Sequence, residues 1–577
     1  MADASLASRF RAPAECQEKL AELHKRFAFS EVEFECFEAN AGSLTTTKLP
    51  QFEAYLQKEK ERKAPKKPVV RPQARPLGGD IALKRQWPGQ ASTSQPKRAR
   101  EADAKEEPRG ALQNTPMQPG ATAPRAPMQV STKSSNASNL DRPTRSLLPV
   151  KVQEAPGSQK VTSYRWINET IAARAALRDE RLQEWEALVV SEMQIRAPEV
   201  AVGTVGVPCQ SESILFGRIA CEGFEGRLND RSIMLEGPSV ANTKVRLNVA
   251  DCKQIAAFPG QIVGVVGRSG MTGSTFHVSD FLPGLPIQGE AMAPESSLHA
   301  MIVAGPFSQR DRLDFTALQS ALAHAQIERP QVLILLGPFL DASNTKVMEG
   351  EASLSGSEEP ACLEEVYVHL FAELRKGLEP LRAARPATQV FILPSLEEAV
   401  NFHPLPQPPM DIMLAQWLEE EATDLLQLQQ MGVRFLSNPA HVEINGIKVS
   451  ITSADALSPI LREMVLRPEG RKVEEALQLL LKQRCLFPAV PRDPAQVYEV
   501  KAKALDFPWD GIAPQICIFP SPLAVMNGAV VENTLFVNPG TLCRQAALGS
   551  FAELWIQPAE GVSTMKDRVR LDLKKLG

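Results

Sequence analysis

The sequence lacks most of the features that mark a catalyst or a membrane protein. Across 577 residues no apolar run, Val332–Leu336 among the longest, nears bilayer-spanning length, which is roughly 20 residues. Met1–Leu20 is too polar for a secretory signal core. Neither membrane contact nor secretion is therefore expected. Nine cysteines, at positions 16, 36, 209, 221, 252, 362, 485, 517 and 543, include no C-x-x-C pair. That argues against a zinc ribbon or disulfide framework and for a reduced, intracellular protein. There is no phosphate-binding P-loop and no Gly-x-Ser-x-Gly nucleophile elbow. The glycines at 264, 267 and 270 lack the strand–helix setting of a dinucleotide fingerprint.

Charge and proline are abundant but uneven. The formal net charge is −4. Between Arg62 and Lys160, 19 Lys and Arg face 7 Asp and Glu, a net of +12, and 14 of the 46 prolines lie there. The rest holds 45 basic and 61 acidic residues, a net of −16. Such a Pro-, Ser- and Lys-rich stretch cannot bury enough apolar surface to offset its ordering entropy. Residues 62–160 thus read as a disordered linker between a small N-terminal all-α module (1–61) and a larger folded part. In the module, Leu23, Phe27, Phe52 and Leu56 recur at near-helical spacing. Within the linker, Lys84-Arg85 and Lys97-Arg98-Ala99-Arg100 stand eleven residues apart, the spacing of a bipartite nuclear localisation signal. Thr115-Pro116 is the segment's one Ser/Thr-Pro and hence a candidate phosphosite.

After the linker the hydrophobic period changes twice. A helical pattern covers 166–195, and five short β-type runs follow: Ile214–Ala220, Ser232–Glu236, Lys244–Val249, Gln261–Val266 and Phe276–Phe281. Five strands in so short a span predict an OB-like barrel within 161–292. From Ser211 to Pro283 seven basic residues balance seven acidic ones, and the aromatics are phenylalanines alone. Single-stranded nucleic acid is held by basic grooves and stacking platforms, so the phenylalanines are expected in the core and any DNA contact to be weak or indirect. Residues 293–577 alternate apolar strands with helices, predicting an α/β sandwich covered on both faces. Its helices are expected at Phe315–Gln326, Cys362–Lys376, Asp411–Gln430 and Val473–Gln483, with an Asn445-Gly446 hairpin.

Open α/β sheets gather function at the carboxyl ends of their strands. Those ends read Gly305-Pro306-Phe307-Ser308, Gly337-Pro338-Phe339-Leu340-Asp341 and Pro394-Ser395. A two-metal hydrolase needs clustered His and Asp ligands there. The chain has seven histidines, and those of this region are scattered. Only an unusual set such as Asp341, His403 and His441 would support a metallophosphoesterase.

Seven ordered segments carry a resemblance: Ser232–Gly237 (SIMLEG), Phe258–Val263 (FPGQIV), Met301–Ser308 (MIVAGPFS), Val332–Asp341 (VLILLGPFLD), Val390–Leu396 (VFILPSL), His403–Pro409 (HPLPQPP) and Val537–Leu542 (VNPGTL). With the helical module, basic linker, barrel and α/β order, the chain resembles the accessory B-subunit family of the DNA polymerase α–primase complex. The resemblance implies a sandwich of calcineurin-like phosphoesterase type in which Gly305, Pro306 and Phe307 stand for Asp-x-His. Gly337, Pro338 and Asp341 then fall in the Gly-Asp-x-x-Asp segment, and Pro394 and Ser395 where Asn-His belongs. It implies a non-enzymatic nuclear scaffold without cofactor, gripping the zinc-containing C-terminal domain of the polymerase catalytic subunit. Primase would be reached through the complex, and replisome factors through the N-terminal module. The equivalent accessory subunit of polymerase δ or ε is the nearest alternative.

Overall fold

The computed structural model describes Val130–Ser134 and residues 148–576, apart from 166–167, 224–226, 239–242, 292, 294–295, 355–359, 401–402, 419–422, 469, 491–495, 524–525, 560 and 562–563. It also describes helical positions Lys19, Leu23, Arg26, Leu49, Pro50, Phe52, Glu53, Leu56 and Gln57. Glu53, Leu56 and Gln57 fall in a second compact unit, Glu53–Ala126, and all other described residues in the first. In chain order the elements used below are β1 (Val130–Ser134), β2 (Val152–Glu154), α1 (Ile171–Arg196), β3 (Ser213–Cys221), β4 (Ile233–Glu236), β5 (Lys244–Asn248), β6 (Ile262–Ser269) and β7 (Thr275–Leu282). Next come β8 (Leu298–Ala304), α2 (Thr316–Glu328), β9 (Val332–Leu336), α3 (Leu363–Ala384), β10 (Gln389–Leu393), β11 (Val433–Phe435), β12 (Ala440–Ile444) and β13 (Ile447–Ile451). The last are α4 (Lys472–Lys482), β14 (Ile516–Ile518), β15 (Ala529–Val531), β16 (Thr534–Val537), β17 (Ser550–Ile556) and β18 (Val569–Leu576).

The five predicted strands close on themselves in the order β3-β4-β5-β7-β6, with β6 returning to β3. The β5–β7 pair is parallel and the other four pairs are antiparallel. This is an OB barrel, and closure leaves none of the five strands with an open edge. Phe258, Phe276 and Phe281 are buried, as expected of core residues; Phe224 lies outside the described residues. Helix α1 begins where Thr170 accepts a hydrogen bond from the Ala173 amide at 3.1 Å. Its Leu182, Trp185, Val189 and Met193 recur at spacings of three and four and are buried against Ile214, Ile262 and Val266 of the barrel.

The α/β part has four layers. One sheet runs β1-β18-β17-β8-β9-β10-β11 and the other β15-β16-β14-β13-β12-β2. Alternation along β9 shows how they stack: Val332, Ile334 and Leu336 enter the core between the sheets, while Leu333 and Leu335 face α2 and α3. Helix α4 covers the outer face of the second sheet. Each sheet is thus covered on both faces, once by helices and once by its partner.

Barrel and sandwich are tied together. Ile255–Ala257 pairs antiparallel with Val465–Arg467. The buried Gln483 side chain accepts from the Ile262 amide at 2.9 Å and donates to the Ile262 and Pro283 carbonyls at 2.9 and 3.0 Å. Arg178 on α1 pairs with Glu499 at 3.0 Å.

Several expectations need correction. The reading of 62–160 as one linker placed its end too late: β1 and β2 are edge strands of the two sheets, and Val150 and Ala155 are buried. Their partners, β18 and β12, lie hundreds of residues away, so composition averaged along the chain hid them. Helix α3 continues to Ala384 through Pro380, past the expected stop at Lys376. The expected helix Asp411–Gln430 is two helices, Met410–Leu418 and Thr423–Gln430. The C-terminal pair β17 and β18 was not foreseen.

Candidate functional site

The loops after β8, β9 and β10 meet at one end of the seven-stranded sheet. The Gly305 amide donates to Leu336 O at 2.8 Å and the Gly337 amide to Leu393 O at 2.9 Å. A Cβ on Gly305 would sit 1.9 Å from Pro338 O, and one on Gly337 would sit 2.3 Å from Glu398 Oε1. Only glycine permits this approach. Both Gly-Pro peptides, 305–306 and 337–338, are cis. Beneath them Phe307 and Phe339 are fully buried, their rings 4.9 Å apart. The space under the strand ends is filled with hydrocarbon.

The carboxylate at this end is one that sequence reasoning passed over. Glu398 accepts from the Phe339 amide at 2.8 Å, the Leu340 amide at 3.2 Å and the Tyr367 hydroxyl at 3.1 Å. It is buried, and burial pushes its pKa up to about 8 against the pull of these hydrogen bonds. At neutral pH most of it is therefore protonated. Tyr367 is likewise pushed above its ordinary range by burial and by Glu398. Only the adjoining Pro394-Ser395-Leu396-Glu397 run hinted at Glu398.

A network of polar groups lies beside it. Pro394 O accepts from Ser453 Oγ at 2.6 Å, and Ser395 O accepts from Gln407 Nε2 at 3.1 Å. Asn438 donates to Gln407 Oε1 at 2.9 Å and Ser453 Oγ at 2.7 Å, and accepts from Thr452 Oγ1 at 2.7 Å. Every member is buried, and such a satisfied network rigidifies its surroundings.

The structure does not bring Asp341, His403 and His441 together as a ligand set. Asp341 accepts from Ser343 N and Oγ at 2.7 and 2.8 Å. His403 Nε2 donates to Tyr164 O at 3.1 Å. His441 accepts from Ser450 Oγ at 2.9 Å and donates to Ala504 O at 3.3 Å, and burial pushes its pKa down to about 4. Among the described residues a different group is close enough for a metal: His324, Glu328 and Glu553, with donor atoms within 4.8 Å. Its centre is the fully buried Glu553, with His324 Nε2 3.1 Å from Oε1 and Lys574 Nζ 3.4 Å from Oε2. The ammonium already supplies the positive charge. Lys84, Arg85, Lys97, Arg98, Arg100 and Thr115 lie outside the described residues.

Two family models match this architecture in succession. The model for the OB domain of the DNA polymerase alpha B subunit matches residues 175–284, α1 and the barrel. The model for the DNA polymerase alpha/epsilon B subunit matches 300–528, most of the sandwich. Both matched regions are similar to this family. The DNA polymerase alpha B subunit of Rattus norvegicus is 27% identical over 362 residues, 61% of this chain and 56% of that protein. That of Schizosaccharomyces pombe is 26% identical over 428 residues, 70% of this chain and 69% of its own length. The Saccharomyces cerevisiae protein is 23% identical over 484 residues, 74% and 65%. The chain thus spans just over half the length of its rodent relatives. Both matched regions contain motifs singled out from the sequence alone, FPGQIV in the barrel and the two Gly-Pro-Phe turns in the sandwich. Among the described residues no helix is long and apolar enough to cross a membrane.

Proposed function

We propose that this chain is a non-catalytic accessory subunit of the DNA polymerase alpha–primase complex. On this reading barrel and sandwich together bind the zinc-containing C-terminal domain of the polymerase catalytic subunit, and through it support RNA–DNA primer synthesis when replication starts. The observation that carries the non-catalytic part is the packing at the strand ends. The residues at Gly305–Phe307 and Gly337–Phe339 offer no metal-binding side chain, Phe307 and Phe339 fill the volume, and Glu398 is held by backbone amides and a tyrosine. Proline and phenylalanine cannot coordinate an ion, and a mostly protonated, amide-bound carboxyl is a poor ligand. The matched relatives, each from polymerase alpha, support alpha over its δ and ε counterparts.

In this proposal the linker clusters Lys84-Arg85 and Lys97-Arg98-Arg100 direct nuclear import, Thr115 is a phosphosite, and the N-terminal module docks replisome factors. Affinity purification of the full chain with identification of stoichiometric partners tests the reading. A polymerase alpha catalytic subunit and primase are expected. Recovery with an epsilon or delta catalytic subunit, or stoichiometric bound metal with phosphodiester turnover lost in Asp341→Ala, overturns it.

A further inference from the structure

Above the packed strand ends lies an open cleft of ≈ 360 Å³, lined in part by Ser308, Arg310, Asp341, Glu397 and Arg544. Its walls come from four separate stretches of chain: the loops after β8, β9 and β10, and the hairpin formed by Cys543–Arg544 and Ala547–Leu548. These are clipped to one another. The Arg310 amide donates to Gln545 O at 2.9 Å, and Arg310 O accepts from Thr345 N at 2.8 Å and Thr345 Oγ1 at 3.0 Å. Asn344 spends both amide hydrogens on Gln309 O and Arg312 O, each at 3.0 Å. The cleft is therefore held in shape by hydrogen bonds from backbone amides and from the Asn344 and Thr345 side chains.

Its polar groups are unequally committed. Ser308 is 3% exposed, and its hydroxyl has no hydrogen-bond partner among the described residues. A buried hydroxyl left in that state is uncommon, and Ser308 is one of the residues lining the cleft. Arg310 and Arg544 are exposed and line the cleft. Arg310 spends only its Nε, on Ser343 O at 3.3 Å. Asp341, by contrast, is already taken by Ser343 N and Oγ. Asp341 and Glu397 are the acidic groups that oppose an incoming anion.

We propose that this cleft binds a phosphate monoester, with the Arg310 and Arg544 guanidinium groups on its oxygens and the Ser308 hydroxyl beneath. Guanidinium forks suit phosphate oxygens, and two of them match a dianion better than a singly charged carboxylate. The volume holds a group of side-chain size, whereas a nucleic-acid strand needs an open groove. The monoester can belong to a phosphorylated peptide or to a nucleoside monophosphate.

Calorimetric titration of the full chain with a phosphothreonine peptide and, separately, with AMP tests this. At least one monoester is expected to bind, while the unphosphorylated peptide and a dinucleotide phosphodiester do not. Arg310→Gln and Arg544→Gln should each weaken binding about tenfold, the scale of one charge-assisted hydrogen bond. Glu397→Gln should tighten it severalfold by removing a like charge. Binding of the peptide alone assigns the cleft to modified protein partners, and binding of AMP alone assigns it to nucleotides. The proposal is overturned if neither monoester binds at millimolar concentration, if the phosphodiester binds equally, or if the arginine variants, shown to be folded by circular dichroism, bind like the parent chain.

Discussion

Two buried glutamates serve the same seven-stranded sheet in opposite ways. Glu398, beyond the end of β10, is surrounded by neutral donors: two backbone amides and the Tyr367 hydroxyl. Glu553, inside β17, lies between the His324 imidazole and the Lys574 ammonium. Neutral donors do not offset the full cost of burying a carboxylate, so Glu398 gains a proton instead. The ammonium beside Glu553 offsets that cost with opposite charge. The comparison teaches how a carboxyl is buried at a strand end without leaving a hole. A carboxyl stays as a hydrogen-bonding plug, and the one cluster of ligand type among the described residues sits elsewhere, beside its own cation.

The sharpest way to break the comparison is to place a third carboxylate on the helix-covered face that holds Glu553, at a site packed with hydrocarbon. Leu335 is fully buried there in the middle of β9. Leu335→Asp is expected to cost more than about 4 kcal/mol and to abolish cooperative unfolding by calorimetry. A soluble variant with a normal melt removes the strand assignment. Next in size, Glu553→Gln should cost about 3–5 kcal/mol because it removes the carboxylate paired with the buried Lys574 ammonium. Adding Lys574→Met should recover most of that loss in a denaturant double-mutant cycle; additive losses would show that the two do not act as a pair.

Smaller again, Glu398→Ala should cost about 1–3 kcal/mol through the orphaned Phe339 and Leu340 amides. Glu398→Gln, which mimics the protonated acid, should cost under about 1 kcal/mol at pH 7. Its pH signature is more telling than its size. The carboxyl titrates near 8 in the fold and at about 4.3 in an unfolded chain. Its contribution is therefore fully present below the lower value and is lost as pH rises through the upper one. Melting curves of the parent chain should fall relative to Glu398→Gln across that window, and parallel curves would contradict the raised pKa.

Local pattern carried much of this fold. Val332–Leu336 is a strand over the whole of its apolar run, and the five barrel strands differ from expectation by a few residues at their ends. The Asn445-Gly446 turn joins β12 and β13 as its dipeptide demands. What escaped notice was whatever depended on a distant partner. Strands β1 and β2 are short and lie in or beside the charged stretch, so nothing local announces them until β18 and β12 supply their hydrogen bonds. Glu398 reads as one more acid after a strand, and Glu553 as one polar residue in Ser550–Ile556. Their roles come from Tyr367, His324 and Lys574, each set by the fold rather than by the local pattern.

By itself, the sequence determined the order of barrel and α/β part, a basic stretch set against an acidic remainder, and two strand ends that read Gly-Pro-Phe. These follow from composition, period and residue chemistry, all of which are local. Only the tertiary structure decided that the two sheets stack on each other, that Glu398 is a largely protonated plug and Glu553 an ion-pair centre, and that Ser308, Arg310 and Arg544 share one cleft. Burial and proximity set those properties, and both arise only when segments far apart in the chain pack together.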